Sequence, residues 1–246
     1  MSIDCVLEVD KVSKKFGGLV AVNNLQFNVY KHEVLGLIGP NGSGKTTMMN
    51  LISGALRPTE GEIRLDGEKI SNKSAREISR MGITRTFQLV RLLPSLSVVE
   101  NVTAGAVFGH NKLWGNAARN RALALLELVG LGGAVNLPVS ALTYIDQKRL
   151  ELARSLASDP KIILLDEWLA GLNPTELKTG IDLIKSLANE GRTIIIVEHV
   201  MDAIRSLCNR CVVMSSGVKI ADGTPEDVLS DDEVIRAYLG SPKCSE

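Results

Sequence analysis

Nine consecutive residues, GPNGSGKTT from Gly39 to Thr47, combine three glycines with a lysine and two threonines. The run fits G-x-x-x-x-G-K-[ST], follows the apolar stretch VLGLIG (34–39) and opens the helical stretch KTTMMNLISG. Glycines let successive backbone N–H groups turn inward around phosphate oxygens, and a helix N-terminus adds partial positive charge. Gly39, Pro40, Asn41, Gly42, Ser43, Gly44 and Thr47 form the cradle, Lys45 reaches the β- and γ-phosphates, and Thr46 offers a hydroxyl to Mg²⁺. A merely structural glycine turn is the alternative, and the strand–loop–helix context argues against it. The chemistry is binding of a nucleoside triphosphate.

A second stretch, IILLDEWLAGLNPTE (162–176), runs four apolar residues straight into Asp166 and Glu167. Beside a phosphate cradle, an Asp at the end of a buried strand holds Mg²⁺, usually through water. Adjacent acids at a strand end point to opposite sides, which frees Glu167 to polarise an attacking water as general base. Two solvated acids at a strand terminus are the competing reading.

Short β-type runs alternate with helical ones, the pattern of a parallel α/β sheet. VLGLIG, IILL (162–165) and TIIIV (193–197) are continuous apolar runs suited to central strands covered on both faces. LEVDKV and LQFNVY alternate with period two and predict an antiparallel β edge. VVMSSGVKIADG predicts a hairpin turning at Ser216-Gly217, and NPTE (173–176) a helix start with Asn173 as N-cap, Pro174 at N1 and Glu176 at N3. Residues 90–157 hold no convincing strand and are richly helical, notably AARNRALALLELVG. The expected organisation is a single domain over 1–246. Its α/β nucleotide-binding core spans about 1–89 and 158–246, with a helical subdomain inserted at about 90–157.

The 246 residues are 45% hydrophobic and 23% charged, with Lys+Arg and Asp+Glu both 28, so no basic nucleic-acid surface or acidic tail is indicated. The N-terminus lacks the order of a signal peptide. The charge-free stretch 128–145 holds three Gly, a Pro and several polar residues and fails as a membrane span. The expectation is a cytoplasmic chain whose link to a membrane runs through a partner. Among Cys5, Cys208, Cys211 and Cys244, the CNRC pair at 208–211 has metal or redox spacing but no further ligands nearby in sequence. Two small thiols packed inside, at a helix end turning into a strand, is the expected arrangement. His32 and His110 are assigned nothing.

Taken together, these motifs resemble the nucleotide-binding subunit of an ABC transporter, and the resemblance covers essentially the whole chain. It implies that Phe16 in KKFGGLVAV stacks on adenine with Val22 as the apolar contact beneath it. It implies that Gln88 in GITRTFQLVRLLPSLSVVENV senses Mg²⁺ and the transport subunit, and that His199 in IIIVEHVMD contacts the γ-phosphate. RTFQ, GLNP and the closing GTPEDVLSDDEVIRAYLG are similar to one of the two ATPases of branched-chain amino-acid importers; urea or other solute importers are the nearby alternative. Family members pair head to tail, each ATP lying between one chain's cradle and the other's signature loop. The implied partners are therefore a second ATPase chain and membrane permease subunits at the cytoplasmic face of the membrane, with ATP and Mg²⁺ as ligands and no nucleic acid.

Three positions depart from the family pattern. The signature stretch reads Leu142-Thr143-Tyr144-Ile145-Asp146-Gln147, in which Thr143, Tyr144 and Ile145 are expected against the partner's nucleotide. Ile145 replaces a glycine, and a β-branched residue resists positive φ and fills space; the same letters also read as a helix start capped by Thr143, with Asp146 at N3. Trp168 stands where the family has proline and is expected to disturb the aim of Glu167. Val200 stands where it usually has an acid, beside His199. The expected outcome is retained ATP binding with reduced turnover. A poorly hydrolysing regulatory subunit is a rival, as is a soluble ABC protein, although a second cradle or long heptad insertion is lacking.

Overall fold

The computed structural model describes residues 4–239, which divide into two compact units, one formed up to Lys73 and again from Ile195, the other from Ser74 to Ile194. Cys244 and the Gly240 that closes the final motif lie outside the described residues. The first unit opens with strands β1 (Cys5–Phe16) and β2 (Leu19–Tyr30), antiparallel with Val9 opposite Phe27. Val22, Leu25, Phe27 and Val29 turn inward from β2, so the expected β edge is present and the period-two signal locates its buried face. Strand β3 (Val34–Ile38) is buried at every residue and feeds the cradle, which ends in helix α1 (Lys45–Ile52). Strand β4 (Glu60–Leu65) pairs antiparallel with β1, and the short β5 (Glu68–Lys69) completes a sheet ordered β2-β1-β4-β5.

The second unit begins with α2 (Ala75–Met81), started by a capping box between Ser74 and Glu77, and β6 (Ile83–Arg85). Helices α3 (Val98–Phe108), α4 (Gly115–Leu128) and α5 (Tyr144–Ala157) pack on one another, with α3 capped by the Ser97–Glu100 box. Strand β7 (Ile162–Asp166) lies parallel to β6, Ile83 opposite Ile162, and is buried throughout. Asn173 caps α6 (Pro174–Asn189) through the amides of Thr175 and Glu176, and the Glu176 carboxylate accepts from the Asn173 amide, as the sequence indicated.

Strand β8 (Thr193–Val197) carries the chain back to the first unit, followed by α7 (Met201–Leu207), β9 (Arg210–Ser215), β10 (Val218–Gly223), α8 (Pro225–Ser230) and α9 (Asp232–Leu239). β9 lies parallel to β3 and antiparallel to β10. Their hairpin turns at Ser216 and Gly217, both with positive φ (47° and 82°), the twist that suits a two-residue loop. The fold is α/β, with parallel central pairs, an antiparallel β edge and a helical insertion. Cys208 caps the end of α7 and Cys211 lies in β9; both thiols are buried beside Gly36, where a Cβ would sit 3.0 and 2.9 Å from their sulfurs. Contact with Cys211 and burial push the Cys208 thiol far up, so it stays protonated. No helix among the described residues is long and apolar enough to cross a membrane.

Candidate functional site

In the first unit the cradle is built mainly from backbone. Gly39 has φ +148°, and a Cβ there would lie 2.1 Å from the carbonyl oxygen of Met214; at Gly44, φ +105°, it would lie 2.5 Å from that of Ala21. Both positions exclude any side chain, so the motif's outer glycines are fixed by packing as well as by conformation. The Ser43 carbonyl accepts from the Gly217 amide at 3.0 Å, and the Asn23 amide donates to the Gly217 carbonyl at 2.8 Å, so the β9–β10 turn ties the loop to β2.

The cradle's polar groups suit a phosphate chain. α1 starts at Gly44 with no side-chain cap and no acid in its first turn, which leaves its N-terminal amides suited to an anion. Asn41, Gly42 and Thr46 are exposed at the mouth. The Ser43 Oγ is buried and has no hydrogen-bond partner among the described residues. Lys45, 5% exposed, donates from Nζ to the carbonyls of Gly39 (2.7 Å) and Pro40 (3.0 Å), which holds the ammonium at the loop. Pro40 and Thr47 are half-buried.

Of the other first-unit candidates, Phe16 is well exposed at the end of β1, with Lys14 Nζ 5.1 Å from its ring centroid. Val22 is completely buried and packs under Gly44, so it supports the loop from within. His199 is exposed just past β8, between buried Glu198 and half-buried Val200. Val200 is the N-cap of α7 and supplies no side-chain bond, so the acid missing here also leaves that helix without a side-chain cap.

In the second unit, β6, β7 and α5 bring several candidates together. Gln88 Nε2 donates to Glu167 Oε2 at 2.7 Å. Glu167 itself sits in the left-handed region, φ +50°, at the sharp turn ending β7. Asp166 is buried, and Arg85 Nη2 reaches its Oδ2 at 2.6 Å in an ion pair whose side chains are 7% and 5% exposed. The sequence reading missed Arg85; its only available signal was its place in the RTFQ run, three residues before Gln88. Also missed was Glu151, which is fully buried on α5 and accepts from the amides of Phe87 (3.3 Å) and Arg91 (2.9 Å). Burial pushes the Glu151 carboxyl above the ordinary carboxylate range, while those amides and Arg154 pull it back in part.

The signature stretch is a capped helix start. Thr143 Oγ1 accepts from the Asp146 amide at 3.3 Å and donates to Asp146 Oδ2 at 2.7 Å. Tyr144 is half exposed, while Ile145 is 8% exposed with no positive φ, so the backbone strain expected of a β-branched residue here is absent. Trp168, directly after Glu167, is placed by the core. Its ring is 1% exposed and packs into the core near Leu169 and Gly180, and its Nε1 donates to the Lys148 carbonyl at 3.2 Å.

A sequence profile described as "ABC transporter" matches residues 22–170, well over half of the chain. The chain belongs to the ABC transporter ATP-binding family. It is an ABC-type ATPase and a nucleotide-binding protein. A second profile, "Branched-chain amino acid ATP-binding cassette transporter", matches 218–243. The high-affinity branched-chain amino acid transport ATP-binding protein LivG of Escherichia coli (strain K12) is 40% identical over 249 residues, covering 96% of this ABC chain and 98% of the relative. The ADP conformation of MJ1267, an ATP-binding cassette of an ABC transporter, superposes with a TM-score of 0.87 at 30% identity, covering 96% of this chain and 99% of that one. A dimeric post-hydrolysis state of the cassette MJ0796 bound to ADP and Pi has a TM-score of 0.79 at 29% identity, covering 89% and 98%.

Proposed function

We propose that this ABC ATPase drives uptake of branched-chain amino acids through a membrane permease, closing with a second ATPase chain around ATP. The observation that carries this reading is likeness along the whole chain to an importer subunit named for that solute class, reinforced by the profile match at 218–243. The loop amides and Lys45 bind the phosphates, Phe16 stacks on the base with Val22 supporting the loop beneath, and His199 steadies the γ-phosphate. Thr46, Asp166 and Gln88 are the residues that would hold Mg²⁺, and the ion would supply charge neutralisation to the phosphates. Gln88 also orients Glu167 through its 2.7 Å hydrogen bond, and Glu167 takes a proton from the attacking water. Thr143, Tyr144 and Ile145 meet the partner chain's nucleotide, at the cytoplasmic face of the membrane.

Ile145, Trp168 and Val200 set turnover below that of a chain with glycine, proline and an acid at those places. The test is reconstitution with permease and binding-protein subunits in vesicles. ATP-dependent uptake of labelled leucine, isoleucine or valine, lost with Lys45→Ala, is expected. Uptake of urea or another solute in their place would overturn the substrate assignment and leave the ATPase assignment standing.

A further inference from the structure

Lys148 carries a chemistry that neither the cradle nor the acids explain. It lies on α5 directly after the signature stretch, where a lysine reads as a solvated helix residue, yet it is 1% exposed. Its Nζ donates to the carbonyls of Trp168 and Ala170, each at 2.8 Å, and sits 5.1 Å from the centroid of the Tyr144 ring. In return, Trp168 Nε1 donates to the Lys148 carbonyl. An ammonium taken out of water needs such compensation, and an apolar residue of the same length would fill the space without it. The paired bonds therefore fix a geometry that packing alone would leave looser.

We infer that Lys148 is a positioning residue: with Trp168 it locks the turn carrying Glu167 to the first turns of α5, and so sets the aim of the Glu167 carboxylate. The turn is short. Glu167 is its left-handed residue, the Ala170 amide donates to the Glu167 carbonyl at 3.1 Å, and Lys148 grips the carbonyls at 168 and 170 on either side of Leu169. The Trp168 ring anchors the far side of the lock beside Gly180, whose missing side chain makes room for it. The same helix start presents Thr143, Tyr144 and Ile145, so a shift imposed there by a phosphate is transmitted to Glu167 through one buried ammonium. This rests on the reading of Glu167 as general base and of 143–145 as the nucleotide-facing turn.

The test uses the full-length chain carrying Trp114→Phe, because Trp114 is 71% exposed and its removal leaves Trp168 as the single tryptophan. Lys148→Met and Lys148→Arg are compared for ATP affinity, melting temperature and Trp168 emission as the isolated chain, and for hydrolysis of Mg-ATP in the vesicles reconstituted with the partner subunits. Lys148→Met is expected to slow hydrolysis at least ~10-fold while ATP affinity changes less than ~3-fold, the split expected when a base is misaimed. Lys148→Arg recovers part of the rate, and Trp168 emission shifts to the red in Lys148→Met as the indole loses its seat.

A folded Lys148→Met protein hydrolysing at the parent rate overturns the proposal. Should that variant fail to fold, Lys148→Arg decides instead: a slowed rate at unchanged melting temperature supports the lock, and a parent rate overturns it. Glu167→Gln is measured separately. If it keeps normal turnover, the base assignment fails by itself; if it is inactive while Lys148→Met keeps the parent rate, only the lock fails.

Discussion

The cradle at Gly39–Thr47 and the acid-bearing turn at Asp166–Gly171 are both sharp bends after buried strands, but they are held in different ways. The cradle is held by backbone: glycines whose Cβ positions are already occupied, an amide from Gly217 and carbonyls that receive Lys45. The acid turn is held by side chains from distant positions: Arg85 on Asp166, Gln88 on Glu167, and Lys148 on the carbonyls of Trp168 and Ala170. A backbone-built site tolerates little change in shape but asks for few residue types. A side-chain-built one can be retuned by single substitutions, and the departures from the family pattern include Trp168 in this second region.

That contrast can be broken most sharply at Glu167. Glu167→Gln should lower turnover by about 10²–10⁴-fold, the worth of a general base, while ATP binding is retained; steady-state hydrolysis beside calorimetric ATP titration reads both. Next, Arg85→Met should lower stability by about 3–5 kcal/mol, the usual cost of leaving one partner of a buried ion pair alone. Chemical denaturation measures it, and a loss under about 1 kcal/mol would class the pair with surface salt bridges. In the cradle, Lys45→Ala should weaken ATP binding at least ~10-fold, or about 1.4 kcal/mol, with little loss of fold stability.

Two smaller effects sharpen the picture of the second unit. Gly180→Ala places a Cβ 2.8 Å from Leu169 Cδ2 and 3.1 Å from the Trp168 ring. Overpacking of about 1–3 kcal/mol should outweigh a helix-propensity gain of about 1 kcal/mol, and a raised melting temperature would show that the ring moves freely. Glu151 gives a pH signature. Its folded pKa is raised, so its contribution to stability is full below the unfolded value of about 4.3 and fades as pH climbs through the raised value. Relative to Glu151→Gln, which cannot titrate, the native protein should therefore lose melting temperature as pH rises from about 4 to 7. Parallel profiles would remove Glu151 from the account.

What the sequence made legible follows the same division. The cradle, the Ser216-Gly217 turn and the Asn173–Glu176 box are local patterns, in which each residue's partner lies a few positions away. Buried strands β3, β7 and β8 were legible because unbroken apolar runs have few other uses. Arg85 with Asp166, Glu151 with the Phe87 and Arg91 amides, and Lys148 with Trp168 join positions twenty to eighty-one apart. Nothing in the local pattern of charge separates such residues from solvated ones. Trp168 follows the same rule: its neighbour in sequence is Glu167, while its partners lie on α5 and α6.

The grip of Gly217 on Ser43 and Asn23 also has a meaning in time. The phosphate loop is translated early, yet the amide that holds it and the strand β9 that pairs with β3 come from a stretch made more than one hundred and sixty residues later. Contacts so far apart form late. A chain still emerging from the ribosome lacks the amide that holds the Ser43 carbonyl until residue 217 is free. A product ending before β9 would lack both that amide and the strand beside β3.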